Sequence, residues 1–135
     1  MTAVAPDPDV RLAVGRRATK FRQAAFVYLH VAILYEAAAL AMMRRGMLPS
    51  RFGPPWVWLL AGAAVAALVF VGLFRWQNVW FARAVWAIHG LRIPALVSGA
   101  FFADDSTRMS SGFYLTALVV VMLNLWMLAR AGWDL

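Results

Sequence analysis

Apolar residues run almost unbroken through four stretches of the chain, at about residues 24–43, 56–74, 79–102 and 113–131. Crossing ~30 Å of hydrocarbon takes about 20 helical residues at a rise of ~1.5 Å each. Each stretch is close to that length. Barrel strands would be about 10 residues long and would alternate polar and apolar positions. The pattern therefore predicts an all-α, polytopic membrane protein with four transmembrane helices in up-down-up-down order and short loops.

The polar breaks fit that map. Arg44 to Pro55 is rich in Gly and Pro, and Ala103 to Gly112 is acidic, polar and small; both read as water-facing loops. Only Arg75-Trp76-Gln77-Asn78 separates the second and third stretches, so those helices are expected to be antiparallel neighbours. Residues 1–23 form a basic N-terminal tail, and residues 24–135 form the bundle. In the tail, Asp9 is placed to cap a helix starting at Val10. Val10, Val14 and Phe21 share a face among basic residues, which suits an interfacial amphipathic helix. The first apolar stretch is too long for a signal-peptide core and contains Glu36, so it reads as a retained span.

Composition narrows the class further. Hydrophobic residues make up 64% of the 135 positions and charged residues only 14%, too few to cover a soluble domain. The formal net charge of +7 would suggest nucleic acid in a soluble protein. Here the basic residues flank apolar runs, which points to anionic lipid headgroups and away from nucleic acid. No cysteine is present, which excludes disulfides, thiolate metal sites and a Cys nucleophile.

Orientation follows from the basic residues. Arg11, Arg16, Arg17, Lys20, Arg22, Arg75, Arg83 and Arg130 fall on one side. Arg44, Arg45, Arg51 and Arg108 fall on the other, where Asp104 and Asp105 dilute them. The positive-inside rule then places both termini in the cytoplasm, in a bacterial inner membrane. Trp56 and Trp58 at one level, and Trp76, Trp80 and Trp133 at the other, read as interface anchors. Trp86 and Trp126 lie deeper and are expected to pack or to line something.

Ionisable groups at membrane depth need a reason, because each is costly there. Glu36 lies ~18 Å into the first span and Arg92 ~20 Å into the third, which runs the same way. Asn124 on the fourth span falls within about a helical turn of that level. His89 lies three residues before Arg92 and shares its face. These four residues are the expected intramembrane polar cluster, with Glu36 paired to Arg92. Arg83 is expected to snorkel to the surface, and Pro94 to kink the third span and free a carbonyl near Gly90. Gly62 with Ala66, and Ala63 with Ala67, form small-xxx-small faces suited to helix packing within the bundle or between subunits. His30 and His89 are candidate ligands for a haem, a pigment or a metal, although no carboxylate–histidine metal motif accompanies them.

Ala32-Ile33-Leu34-Tyr35-Glu36 resembles the first helix of the small multidrug resistance transporters, which carry a membrane-embedded Glu there. The likeness covers five residues, the Gly-rich third-helix pattern of that family is absent, and the chain is not assigned to it. No nucleophile, acid–base constellation or phosphate loop is visible, so the reading is not an enzyme. The leading expectation is a non-catalytic accessory or assembly subunit of a larger membrane complex, held by the bilayer and by other subunits or self-association. The alternatives are a small homo-oligomeric transporter or channel using Glu36, and a His-ligated pigment or haem subunit of a photosynthetic or redox complex.

Overall fold

The computed structural model describes residues 8–46, 54–102 and 109–135. Arg51, Asp104, Asp105, Arg108 and most of the two longer loops lie outside the described residues. Within them run α1 (Pro8–Arg44), α2 (Pro55–Val71), α3 (Val79–Gly90), α4 (Ile93–Phe101) and α5 (Ser111–Trp133). Four segments are long and apolar enough to cross a membrane: Asp9–Arg44, Trp56–Trp76, Val79–Phe101 and Ser111–Trp133. The protein is an all-helical integral membrane protein, and the third span is made of α3 and α4 together.

The basic tail is not a separate interfacial helix. From Pro8 onward it belongs to α1, a single helix of 37 residues, and Asp9 lies in its first turn rather than at a cap. Turning a helix into the membrane plane requires a break, and no Pro occurs from Val10 to Arg44. Arg, Lys, Gln and Ala are strong helix formers, so the helix propagates through the tail. At ~1.5 Å per residue α1 is about 55 Å long, well beyond the ~30 Å of hydrocarbon.

The hairpin between the second and third spans is tighter than the four-residue link expected. α2 continues as a π-helical turn over Gly72–Trp76. Only Gln77, in a left-handed conformation at φ 48°, and Asn78 lie between the helices. The Asn78 side chain accepts from the Trp80 and Phe81 amides at 2.8 and 3.3 Å, capping α3. Gly72 lies under the Phe81 ring, where a Cβ would collide with it.

Pro94 does more than kink the third span. α3 ends at Gly90, a turn follows at Leu91–Arg92, and α4 starts at Ile93 with Pro94 in its first turn. Pro94 has no N–H to give the Gly90 carbonyl, and the Arg92 amide reaches back only three residues, to His89 O at 3.2 Å.

Side-chain contacts fix the helix directions. Phe26 of α1 meets Phe70 and Phe74 of the second span while Glu36 meets Gly62, so these two are antiparallel. Tyr28 meets His89 and Tyr35 meets Arg92, so α1 and the third span are parallel. Lys20 meets Asp134 while Gln23 meets Arg130, and Arg83 meets Gly132 while Gly99 meets Tyr114, so α5 runs against both. The order up-down-up-down follows.

α1 and α5 form the central pair. The second span docks on α1 through Ala66, Val69 and Leu73, and the third docks on α5 with Ala82 and Val85 buried. The second and third spans are therefore antiparallel but not packed side by side. Each is held by its own central helix, and a gap opens between them. At α5 the buried stripe is Val121, Asn124, Leu125, Leu128, Ala131 and Gly132. Asn124 is fully buried in this stripe, and neither atom of its amide has a hydrogen-bond partner.

The basic residues of the tail, the π turn, α3 and the end of α5 meet at one end, together with the start of α1 and the C-terminal residues. Lys20 Nζ donates to Asp134 Oδ1 at 2.7 Å. Arg83 is not a free snorkelling cation: Nε donates to Gly132 O at 2.9 Å, and its guanidinium lies 5.0 Å from both the Trp80 and the Trp133 ring centroids. It therefore satisfies a carbonyl that the end of α5 would otherwise leave open. Trp86 packs edge-on against Trp133 at 5.3 Å. Trp126, expected to pack or line something, is 58% exposed on the outer face. Trp56, Trp76, Trp80 and Trp133 are outward-facing at the two ends.

Two outcomes are expected. Replacing Asn124 with Leu, of similar volume, removes an unbonded buried amide and should raise stability by about 1 kcal/mol in a detergent unfolding assay; a less stable Leu variant would show that the amide is bonded in the membrane. The Asp134 carboxyl is held below its ordinary range, first by the hydrogen bond from Lys20, then by that ammonium's charge, with Arg17 and Arg16 adding to it. Its tie to Lys20 is therefore complete above the usual Asp range and is lost only as pH falls through the depressed value. NMR titration should find a low Asp134 midpoint that returns to normal in Lys20→Gln.

Candidate functional site

The gap between the second and third spans is a groove of about 340 Å³, floored by α1. Glu36, Tyr35 and Tyr28 reach it from α1, Trp58 and Gly62 from α2, and His89 and Arg92 from the helix break. The break explains why the third span can place a cation there. Irregular backbone at membrane depth is tolerated where it lines a cavity or is buried in protein, and Arg92 sits on that turn.

Arg92, His89 and Glu36 are each oriented by a neighbour, whereas the buried Tyr35 hydroxyl has no hydrogen-bond partner. The Arg92 guanidinium lies 5.1 Å from the Tyr35 ring centroid. His89 Nδ1 lies 2.9 Å from Val85 O, and because a carbonyl only accepts, this nitrogen carries the proton. Nε2 of the neutral ring is then left as an acceptor. The Tyr28 ring meets the imidazole edge-on at 5.2 Å. The Glu36 carboxyl rests against the backbone of Gly62, in the space a side chain there would occupy. Glu36 also borders a second, apolar groove of about 570 Å³ on the other side of the α1–α2 seam.

The structure thus brings Glu36, His89 and Arg92 to one groove but does not join them all. Glu36 and Arg92 form no ion pair and share the groove without a direct contact between their charges. Asn124 is not part of this cluster. It points into the α5 packing stripe and does not line the groove.

The two histidines do not face one gap. His30 donates from Nδ1 to Phe26 O at 2.7 Å and is exposed on the outer face of α1. Tyr28, two residues and about 200° earlier on the helix, is the residue that faces His89. A group ligated by both His30 and His89 is therefore excluded by geometry. Among the described residues no cluster of three or more His, Asp or Glu could hold a metal ion.

The small-residue faces divide likewise. Gly62 and Ala66 turn toward α1, with Ala66 buried, whereas Ala63 and Ala67 are exposed and line the apolar groove. Tyr28 and Tyr35 line the polar groove without standing out in the sequence. Their spacing from Glu36, eight residues and one, is the available signal, since positions 28, 32, 35 and 36 share a helix face.

These features define the class as a small, four-span helical membrane protein with an open-sided polar groove at a helix break. No protein family, curated protein or solved structure matches the chain.

Two glycine substitutions should behave differently. In Gly62→Ala the new methyl meets the end of a flexible side chain. The protein should fold while labelling of Glu36 by a membrane-soluble carbodiimide rises several-fold, and unchanged labelling would show that the carboxyl does not occupy this seat. In Gly99→Ala the methyl meets three atoms of the Tyr114 ring, at 2.6–2.7 Å. That ring cannot yield without shifting α5, so a loss of about 1–3 kcal/mol is expected in the same unfolding assay.

Proposed function

We propose that the protein binds a small polar solute in the Glu36–His89–Arg92 groove and carries it across the membrane. The observation behind this reading is the groove itself. At membrane depth, three elements supply a carboxyl, an imidazole and a guanidinium around a helix break, with no direct pair between the two opposite charges. Charged groups kept apart at that depth are costly, and a bound solute that meets both offsets the cost. A volume of about 340 Å³ suits a small molecule and is too small for a partner helix, which is ~10 Å across. Broken spans with polar groups at the break are a recurrent way to build a transport site. In this reading Arg92 takes the anionic part of the solute, Glu36 a cationic or proton-donating part, and His89 a hydrogen bond.

The basic end is placed in the cytoplasm, with both termini there, in a bacterial inner membrane. A second reading, an accessory subunit of a larger complex, draws on Ala63 and Ala67. They leave a small-residue face open in the apolar groove, suited to another subunit's helix.

The test is uptake of radiolabelled amino acids, organic acids and organic cations by proteoliposomes holding the full chain. One class should accumulate above empty vesicles, and Glu36→Gln and Arg92→Gln should each reduce it at least tenfold, the weight of about 1.4 kcal/mol, with insertion and helicity retained. Absence of uptake in every class, together with recovery of the chain bound to other membrane proteins in mild detergent, would favour the second reading.

A further inference from the structure

The seam between α1 and α5 at the basic end opens as a groove of about 510 Å³, separate from the Glu36 groove. Its lining changes along the membrane normal. Arg22 and Gln23 of α1 and Arg130 of α5 border its outer part, while Phe26, Val27 and Met127 lie about one helical turn deeper. Arg130 Nη1 donates to Gln23 Oε1 at 3.5 Å and lies 3.9 Å from Met127 Sδ. The Arg22 guanidinium lies 5.7 Å from the Phe74 ring centroid. No carboxylate borders the groove among the described residues, and Asp134, an acid near this end, is engaged by Lys20.

Two guanidinium groups therefore flank the mouth of a groove whose deeper part is apolar, at the level where Trp76, Trp80 and Trp133 mark the interface. Guanidinium forks match phosphate geometry. A soluble phosphate would use only the mouth, whereas a phospholipid uses both halves. We infer that this groove binds an anionic phospholipid, with its phosphate between Arg22 and Arg130 and an acyl chain along Phe26, Val27 and Met127. The inference does not depend on the function of the Glu36 groove.

The test uses the full chain in mild detergent, mixed with phosphatidylglycerol or phosphatidylcholine of matched acyl chains, with retained lipid counted by native mass spectrometry. Each Arg near the surface is worth about fivefold, so the pair should favour phosphatidylglycerol by about thirtyfold. Arg22→Gln/Arg130→Gln should bring that preference close to unity. Arg44→Gln/Arg45→Gln, at the opposite end, should leave it unchanged. Equal retention of the two lipids by the unaltered chain overturns the inference even if the double variant fails to fold. Equal retention of the two lipids, a preference that survives in a folded double variant, or release of phosphatidylglycerol by inorganic phosphate at millimolar concentration would overturn the inference.

Discussion

A bilayer interior offers a backbone amide no hydrogen-bond partner, and every element here answers to that constraint. The spans are helices because only a helix closes its own N–H and C=O groups along one segment. Where helices end, side chains take over: Asn78 caps α3, Ser110 caps α5, and Arg83 reaches the Gly132 carbonyl. The exception is the Leu91–Arg92 turn, where Pro94 withholds a donor. A span cannot be interrupted against lipid at no cost, so the interruption lies on a cavity.

The cavity in turn depends on how the helices pair. With α1 and α5 at the centre, the second and third spans are attached to different partners, and nothing forces them together. Gly62 matters for the same reason. It is the point where α2 comes close enough to α1 to receive the Glu36 carboxyl, and the absence of a side chain lets that carboxyl rest against backbone at the edge of the groove. Polar chemistry and packing are thus set by the same contact.

The spans are legible in the sequence because a hydrophobic run of membrane length is seldom found in a chain that stays in water. The shared level of Glu36 and Arg92 is legible too, since the helical rise converts residue number directly into depth; Tyr35, next to Glu36, does meet Arg92. Facing is much harder to read. Depth says nothing about azimuth, so the sequence groups Asn124 with residues it turns away from, and His30 with a histidine on the opposite side of α1. Which way a residue faces depends on which helices pair. The short link between α2 and α3 gives a misleading hint, because it brings helix ends together without bringing the helices side by side. The continuity of α1 is hidden for a different reason: a change from basic to apolar side chains looks like a boundary, but it does not break a backbone helix, and no proline follows Pro8 in α1.

The Gln77–Asn78 link has a mechanical side. Two residues, one of them in a left-handed conformation, join the π turn to α3 and hold the second and third spans together at the basic end. The spans are therefore bound like the covers of a book, with the spine at that end. Gly62 and Arg92 lie well away from the spine, whereas Trp76 and Phe81 meet beside it. The groove is thus shut at the basic end by this link and the Trp76–Phe81 contact, and Trp58 borders it on the side away from the link.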